Sequence, residues 1–242
     1  MSIEADRQRA ALHRIAADDP ELAARLVLMM LPAAASKIRG GLSFELEVEG
    51  MGTHRVGVGP PDFRLQADAK TLVELVTGTA GPLGLMMRGR LRIRGKRRKA
   101  MKLRRMSGEV SMADVVEAGG TPEPDILYRS LPYIVDPEWT TGHDFTVRYV
   151  VTGDGGGTWY VTVRDGQPLE VSREERDVAG SATVSFDSYQ RIASGQLSPS
   201  QAMQNQLTKV DGEIYPITLM GRWIARAQCA DDAELKREEE QR

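Results

Sequence analysis

The chain is poor in the residues that build disulfide frameworks and metal sites. Among its 242 residues there is one cysteine, Cys229, and there are three histidines, His13, His54 and His143. One cysteine forms no internal disulfide, and the histidines do not have the spacing of metal ligands. The composition therefore disfavours a secreted disulfide scaffold and predicts no metal site.

Aromatic residues and long apolar runs are also scarce. Phe, Trp and Tyr make up 5% of the chain, against 11 methionines and 24 glycines, so a large apolar cavity would have adaptable aliphatic and thioether walls. The longest apolar run, residues 26–35, is about half of what a bilayer span needs. The N-terminus is acidic where a signal peptide is basic. We therefore expect a cytoplasmic globular protein.

Positive charge is concentrated in one segment. The formal net charge is −2, yet eleven Lys and Arg and no acidic residue lie between Arg88 and Arg105, which leaves −13 for the rest of the chain. Basic and small or apolar residues alternate here, as in a strand with one charged face. The strand would carry Arg88, Arg90, Arg92 and Arg94 on that face, with Arg97 and Arg98 following at its end.

Local signals predict a similar order of elements in both halves. The first half is predicted to contain a helix from Pro20 to about Pro32, strands over 42–48 and 53–58, helices over 68–77 and from 81, a strand around 91–93 and a helix over 97–106. The second half is predicted to contain a helix over 126–133, strands over 145–151, 158–163, 169–172 and 182–186, two helices over 187–206, a strand over 207–210 and a helix over 216–228.

Residues of the same type recur 117 positions apart, which indicates an internal duplication. The pairs are Gly78 and Gly195, Pro82 and Pro199, Met86 and Met203, and Gly95 and Gly212. Upstream, Thr53 and Thr158 pair at an offset of 105, so the first copy lacks about twelve residues and a third strand. We predict domains over 1–116 and 126–230, a Gly/Pro-rich linker over 117–125 and a charged tail over 231–242.

The segment Gly195-Gln196-Leu197-Ser198-Pro199-Ser200-Gln201-Ala202-Met203, with the apolar strand that follows, resembles the sterol carrier protein type 2 family. The resemblance covers most of the second half and, more loosely, residues 20–110. It implies an α+β fold of two tandem sterol-carrier-like domains, the first one shortened. Each would have a mostly antiparallel or mixed β-sheet covered on one face by short helices. One departure is Gln206, which replaces the family's usual glycine, present in the first copy as Gly89.

Members of this family carry sterols, fatty acyl chains or acyl-coenzyme A in an apolar tunnel, usually without chemistry. The resemblance implies non-enzymatic binding or transfer of such a ligand, mainly in the C-terminal domain, with no cofactor. The alternation of the strands also fits a filled core, because it indicates burial and not emptiness. The tunnel would be lined by Phe145, Val147, Tyr149, Trp159, Val161, Phe186, Tyr189, Ile192, Met203 and Trp223.

Several partners remain open for the basic segment. It would face solvent or the acidic remainder of the protein, or it would contact an anionic membrane surface or the phosphates of an acyl-coenzyme A. Nucleic acid is disfavoured, because no aromatic residues are interleaved for base stacking.

Signals for catalysis are weak. His143 and Asp144 are adjacent but have no nucleophile to activate, and the glycines at 153–157 lack the Lys-Ser/Thr of a phosphate loop. Two alternatives to a lipid carrier remain. One is a protein-interaction scaffold that uses the basic strand. The other is an enzyme, or an accessory subunit of a lipid- or steroid-metabolising enzyme, with Asp187 or His143 as a base.

Overall fold

The computed structural model describes residues 3–38, 40–105 and 110–228, and the chain divides into two units between Pro122 and Glu123. Cys229, Met106 and the predicted tail over 231–242 lie outside the described residues. Helices and mixed sheets occur in both units, so the predicted α+β class is confirmed.

The first unit holds a four-stranded sheet and six helices in its described part. Its elements are α1 (Ile3–Asp18), α2 (Pro20–Ser36), β1 (Phe44–Val48), β2 (Gly52–Val56), β3 (Phe63–Ala67), α3 (Ala69–Thr77), α4 (Pro82–Met87), β4 (Arg92–Gly95), α5 (Arg97–Ala100), a 3-10 segment (Met101–Arg105) and α6 (Met112–Glu117).

The prediction for α2 is correct at its start and wrong at its end. The Asp19 side chain accepts a hydrogen bond from the Leu22 backbone N–H and caps the helix, as the sequence indicates. The helix nevertheless continues through Pro32 to Ser36. The last turns are held because Leu31 and the alanines at 33–35 are buried, and this burial outweighs the helix-breaking tendency of proline.

The sheet of the first unit has the order β2-β1-β3-β4. Strand β1 pairs antiparallel with β2 and parallel with β3, which in turn pairs antiparallel with β4. The central strand β3 is absent from the sequence-based prediction. Its alternating pattern, with Phe63, Leu65 and Ala67 buried, occupies only five residues directly before the N-cap of α3.

The second unit follows the predicted order closely. Its elements are α7 (Pro124–Ile134), a 3-10 segment (Pro137–Thr140), β5 (Phe145–Thr152), β6 (Gly157–Val163), β7 (Glu170–Ser172), β8 (Gly180–Ser185), α8 (Phe186–Ala193), α9 (Pro199–Gln204), β9 (Thr208–Gly212) and α10 (Ile214–Gln228).

The two sheets share strand order and direction. The second has the order β7-β6-β5-β8-β9, in which β5 pairs antiparallel with β6 and parallel with β8, and β8 pairs antiparallel with β9. The additional strand β7 extends the edge at β6. The third strand predicted for the second half alone is therefore present there.

Positions 117 residues apart make the same backbone contacts. The Lys96 N–H donates to the Asp62 carbonyl, and the Glu213 N–H donates to the Ala179 carbonyl, each at 2.9 Å. Gly95 and Gly212 precede these donors with φ of 106° and 80°. A Cβ at either glycine would lie within 3.0 Å of the neighbouring strand, so the close approach requires glycine in both units.

Candidate functional site

The inner face of the second sheet carries the predicted alternation of apolar side chains. Opposite residues on β5 and β6 pair as Phe145 with Val163, Val147 with Val161, and Tyr149 with Trp159, all on one face. Helices α7, α8 and α10 pack against this sheet. The strands and helices therefore bring most of the predicted lining residues together.

These residues divide into two clusters. The first is a densely buried core that includes Val147, Val161 and Trp223, with Phe145 packed against it. The second contains Trp159 and Tyr189, with Phe186 packed against it. Of the remaining predicted residues, Tyr149 packs against the first cluster, while Ile192 and Met203 are half-buried on α8 and α9 and belong to neither.

An aromatic group centres on Tyr128 of α7, which the sequence did not single out. The Tyr128 ring lies 4.8 Å from the Trp159 ring, 5.2 Å from that of Tyr149 and 6.2 Å from that of Tyr189, between centroids. We call Tyr128, Tyr149 and Tyr189 the tyrosine cluster. A signal for it existed in the sequence, since Tyr128 falls on the apolar side of an amphipathic helix, but only the fold shows which strand that side meets.

The hydroxyl groups of this cluster lie in apolar surroundings. The hydroxyl oxygens of Tyr149 and Tyr189 are buried and have no hydrogen-bond partner among the described residues. Burial raises the pKa of Tyr149 and of Tyr189, and it raises the pKa of Tyr128 with a further contribution from the other two phenols. All three side chains are therefore neutral hydrogen-bond donors at physiological pH.

Trp159 packs against this aromatic group on one side and contacts Asp125 and Arg173 on the other. It is 1% exposed, and its indole N–H donates to Asp125 Oδ1 at 3.3 Å. The Arg173 guanidinium lies 4.1 Å from the Trp159 ring centroid and pairs with Asp125 at 2.9 Å. Partial burial raises the pKa of Asp125, but the hydrogen bonds from Arg173 and Trp159 outweigh it and the pKa is lowered. The charge of Arg173 is thus balanced by a carboxylate.

The corresponding space in the first unit is filled. The sheet register and the 117-residue offset place Leu46 where Tyr149 lies and Leu72 where Tyr189 lies. These two leucines are 1% and 2% exposed. The cavity beside them has a volume of about 10 Å³, roughly the space of one water molecule.

The basic segment does not form the predicted row of four guanidinium groups on one strand. Strand β4 begins at Arg92, so Arg88 and Arg90 lie before it. Arg90 forms two hydrogen bonds to the carboxylate of Glu74, at 2.8 and 3.2 Å, and its side chain is 30% exposed. That prediction is wrong because a carboxylate sixteen residues upstream, on α3, pairs with Arg90 and holds it away from the strand face.

The other predicted basic residues are placed separately. Arg88 is exposed at the C-cap of α4, and Arg98 is exposed on α5. The side chain of Arg97 lies outside the described residues. Arg92 and Arg94 are exposed on the outer face of the sheet, and no described carboxylate lies within ion-pair distance of either.

Two further arginines extend this outer face. Arg94 of β4 lies opposite Arg64 of β3, which lies beside Glu45 of β1, and Arg55 of β2 follows in the same row. Glu45 pairs with Arg64 at 2.5 Å. Arg55 and Arg64 are not recognisable from the sequence, because strand pairing, not sequence proximity, brings them to β4. We call Arg55, Arg64, Arg92 and Arg94 the basic face.

A surface cleft of about 490 Å³ lies at one end of the second sheet, lined by residues that include His143, Asp144, Glu213 and Tyr215. The His143 ring lies 5.6 Å from the Trp223 ring, between centroids. Asp187, the other candidate base, is exposed in the first turn of α8 and is not one of these lining residues. No three metal-ligating side chains lie together in the described ranges.

The family comparison concerns the first unit. Residues 16–107 match the model of the SCP-2 sterol transfer family. The matched segment lies wholly within the first unit and covers most of it. This confirms the family inferred from the sequence, although the motif that suggested it lies in the second half. A match to this family suggests lipid binding or transfer.

Solved structures resemble parts of the chain at low identity. They include the sec-alkylsulfatase Pisa1 from Pseudomonas sp. (17% identity, TM-score 0.36), sterol carrier protein 2 from Yarrowia lipolytica in its apo form (14%, 0.35) and Sterol Carrier Protein 2 Like 2 from Aedes aegypti (15%, 0.33). The alignments cover 52%, 43% and 40% of this chain, and 21%, 90% and 88% of theirs. The chain thus spans about a fifth of the alkylsulfatase's length.

No curated protein shows significant sequence similarity to the chain. Within the described ranges, no helix has the length and apolar character to cross a membrane.

Proposed function

We propose that the protein is a cytoplasmic, non-enzymatic lipid carrier made of two SCP-2-like domains in tandem. Its ligand is a sterol, steroid or fatty acyl compound held in the second unit. Three findings support this proposal: the family match of the first unit, the strand order shared by both sheets, and the backbone contacts repeated 117 residues apart.

One difference between the two units is the main reason to place the ligand in the second unit. Where the first unit has the tightly buried Leu46 and Leu72, the second has Tyr149 and Tyr189, whose hydroxyls have no hydrogen-bond partner in the described part of the chain. Leu46 and Leu72 complete a hydrophobic core, whereas unpartnered buried hydroxyls indicate a surface that a further molecule completes. Ile192 lies on α8, the helix that carries Tyr189, and Met203 lies on α9, which packs against α8; both side chains are half-buried.

Burial of apolar surface supplies enough free energy for such binding. Removing about 300 Å² of apolar ligand surface from water contributes roughly 7 kcal/mol before ordering costs. Micromolar affinity therefore needs no charged site.

Native mass spectrometry of the freshly purified chain tests the proposal. We expect an adduct of lipid or steroid mass, and loss of that adduct in Met203→Glu, because a carboxylate would have to be buried against the ligand. Met86→Glu is the matched control, since Met86 is equally half-buried 117 positions earlier in the first unit. An apo mass that does not change with sterols, fatty acids or acyl-coenzyme A would reject the carrier function. Equal loss in both variants would reject the assignment to the second unit.

The basic face favours a second, compatible activity, which is transient contact with an anionic membrane during ligand exchange. Arg92 and Arg94 are exposed without a carboxylate partner in the described part of the chain, and each basic residue near anionic lipid contributes on the order of 1 kcal/mol. A scaffold that docks an acidic protein would use the same arginines. It would be favoured by a stable partner that charge reversal of Arg92 and Arg94 releases.

A further inference from the structure

The tyrosine cluster suggests what the polar end of the ligand is, an inference that rests on the carrier function proposed above. Tyr189 is 8% exposed, and its hydroxyl oxygen and that of Tyr149 are buried without a partner among the described residues. Buried polar groups in folded proteins are nearly always hydrogen-bonded. Two such hydroxyls around one central ring therefore need an explanation that the described side chains of the unit do not supply.

The aromatic rings of this region stack on one another, so most of their faces are covered. Tyr128 stacks on Trp159 with an interplanar angle of 23°, and the outer side of Trp159 is covered by Arg173. Phe186 stacks on Tyr189, with the ring centroids 6.4 Å apart. What the cluster offers a ligand is thus its hydroxyl donors and not an open aromatic cage for a cation.

We propose that the tyrosine cluster binds the polar end of the ligand and that this end is a neutral carbonyl group, as in a ketone or an ester. A carbonyl oxygen accepts two hydrogen bonds and brings no donor that needs a partner of its own. Tyr149 and Tyr189 would be the two donors.

Charge argues against the two ionic alternatives. A free carboxylate would need a cation, and the guanidinium beside this cluster, that of Arg173, is already paired with Asp125. An ammonium ion would be buried without a carboxylate, because Asp125 is engaged by Arg173 and by the Trp159 indole. The raised pKa values of the three phenols agree with this reasoning, since they keep the hydroxyls protonated as donors.

Two matched pairs of probes test the proposal on the full chain by displacement of a fluorescent apolar probe. One pair is 5α-androstan-3-one and 5α-androstane, and the other is methyl palmitate and hexadecane, so that the apolar body is either a steroid or a chain. We expect the carbonyl member of at least one pair to bind about tenfold more tightly than its hydrocarbon, as for one or two hydrogen bonds to otherwise unpaired donors.

Variants assign the preference to the two hydroxyls. In the double variant Tyr149→Phe with Tyr189→Phe, the preference should fall below about threefold while the hydrocarbon still binds. Tyr160→Phe is the control, because Tyr160 lies opposite Arg148 on the other face of the sheet. Thermal unfolding should show that the double variant is at least as stable as the wild type, since it removes hydroxyls without partners. A clear loss of stability would instead assign the hydroxyls a structural role and overturn the proposal.

The remaining outcomes separate this inference from the carrier function. Equal binding of carbonyl and hydrocarbon members, or tighter binding of palmitate than of methyl palmitate, would overturn the inference and leave the carrier function in place. Failure of every probe, together with an apo mass in native mass spectrometry, would overturn both.

Discussion

Gly89 and Gln206 occupy the same left-handed turn, one in each unit. Gly89 has φ 72° and Gln206 has φ 56°, and their N–H groups donate to the carbonyls of Met86 and Met203 at 3.0 and 3.1 Å. Gln206 is the single non-glycine residue with positive φ among those described. The replacement of the family's usual glycine by Gln206 therefore leaves the backbone turn unchanged. Gln206 instead adopts a strained left-handed conformation.

Replacing Gln206 by glycine should stabilise the second unit. A non-glycine residue in this conformation costs about 1–2 kcal/mol, part of which the greater freedom of glycine in the unfolded chain cancels, so we expect a gain of about 1 kcal/mol. A Cβ at Gly89 would meet no atom within 4 Å, which indicates that the cost lies in the backbone and not in contacts.

Chemical denaturation followed by tryptophan fluorescence measures this effect, because Trp139, Trp159 and Trp223 all lie in the second unit. The control is Gln190→Gly within α8, where glycine should destabilise by about 1 kcal/mol. A loss of stability in Gln206→Gly would contradict the claim that the positive φ of Gln206 destabilises the second unit.

The ion pair of Arg90 and Glu74 should contribute to the stability of the first unit. Glu74→Gln leaves a half-buried guanidinium with a weaker partner, so we expect a loss of about 1 kcal/mol. Calorimetry of the full chain can follow the first unit, which has no tryptophan or tyrosine. Arg92→Gln should change the stability by less than about 0.5 kcal/mol, because Arg92 is exposed and unpaired in the described part of the chain. Equal losses of stability in both variants would argue against a specific contribution of the Arg90–Glu74 ion pair.

Binding to anionic vesicles should depend on the basic face. We expect Arg92→Glu with Arg94→Glu to weaken sedimentation with phosphatidylserine-containing vesicles at least tenfold, and salt to weaken the wild type. The charge-matched control is Arg191→Glu with Arg222→Glu, two exposed residues of the second unit. If both double variants lose binding equally, net charge and not the basic face governs adsorption.

The stability of the second unit should depend on Asp125 in a pH-dependent way. The pKa of Asp125 is lower in the folded protein than its ordinary value of 3.8. Its contribution is therefore present above that value and is lost as the pH falls through the folded-state pKa. We expect Asp125→Asn to cost about 1 kcal/mol at pH 7 and progressively less below about pH 4. Fluorescence-monitored urea unfolding measures this, with Asp154→Asn in the exposed β5-β6 turn as control. A cost independent of pH would show that the carboxylate's charge is not involved.

Elements defined by local chemistry were predictable from the sequence. The helix predicted over 68–77 is α3, which Asp68 caps and Gly78 ends, and a capping box of Ser198 and Gln201 begins α9 within the predicted range 187–206. The alternation of β5 and β6 gave the correct inner face. Such features depend on neighbouring residues or on strand period, both of which are visible in the chain itself.

Features that depend on distant partners were not predictable. The pairing of Arg90 with Glu74 and the arrival of Arg55 and Arg64 beside β4 follow from strand packing. The central position of Tyr128 follows from where α7 crosses the sheet. Alternation indicates that a side chain is buried, but it contains no information about whether a buried hydroxyl finds a partner.

Strand β7, which occurs only in the second sheet, makes the two sheets end differently on one side. The second sheet ends on one side in a strand of only three residues, too short to template the addition of another chain. The first sheet ends on that side in β2, a five-residue strand with the exposed charge of Arg55. The second sheet thus has a shortened open edge on this side, whereas the first sheet relies on charge to oppose edge-to-edge aggregation.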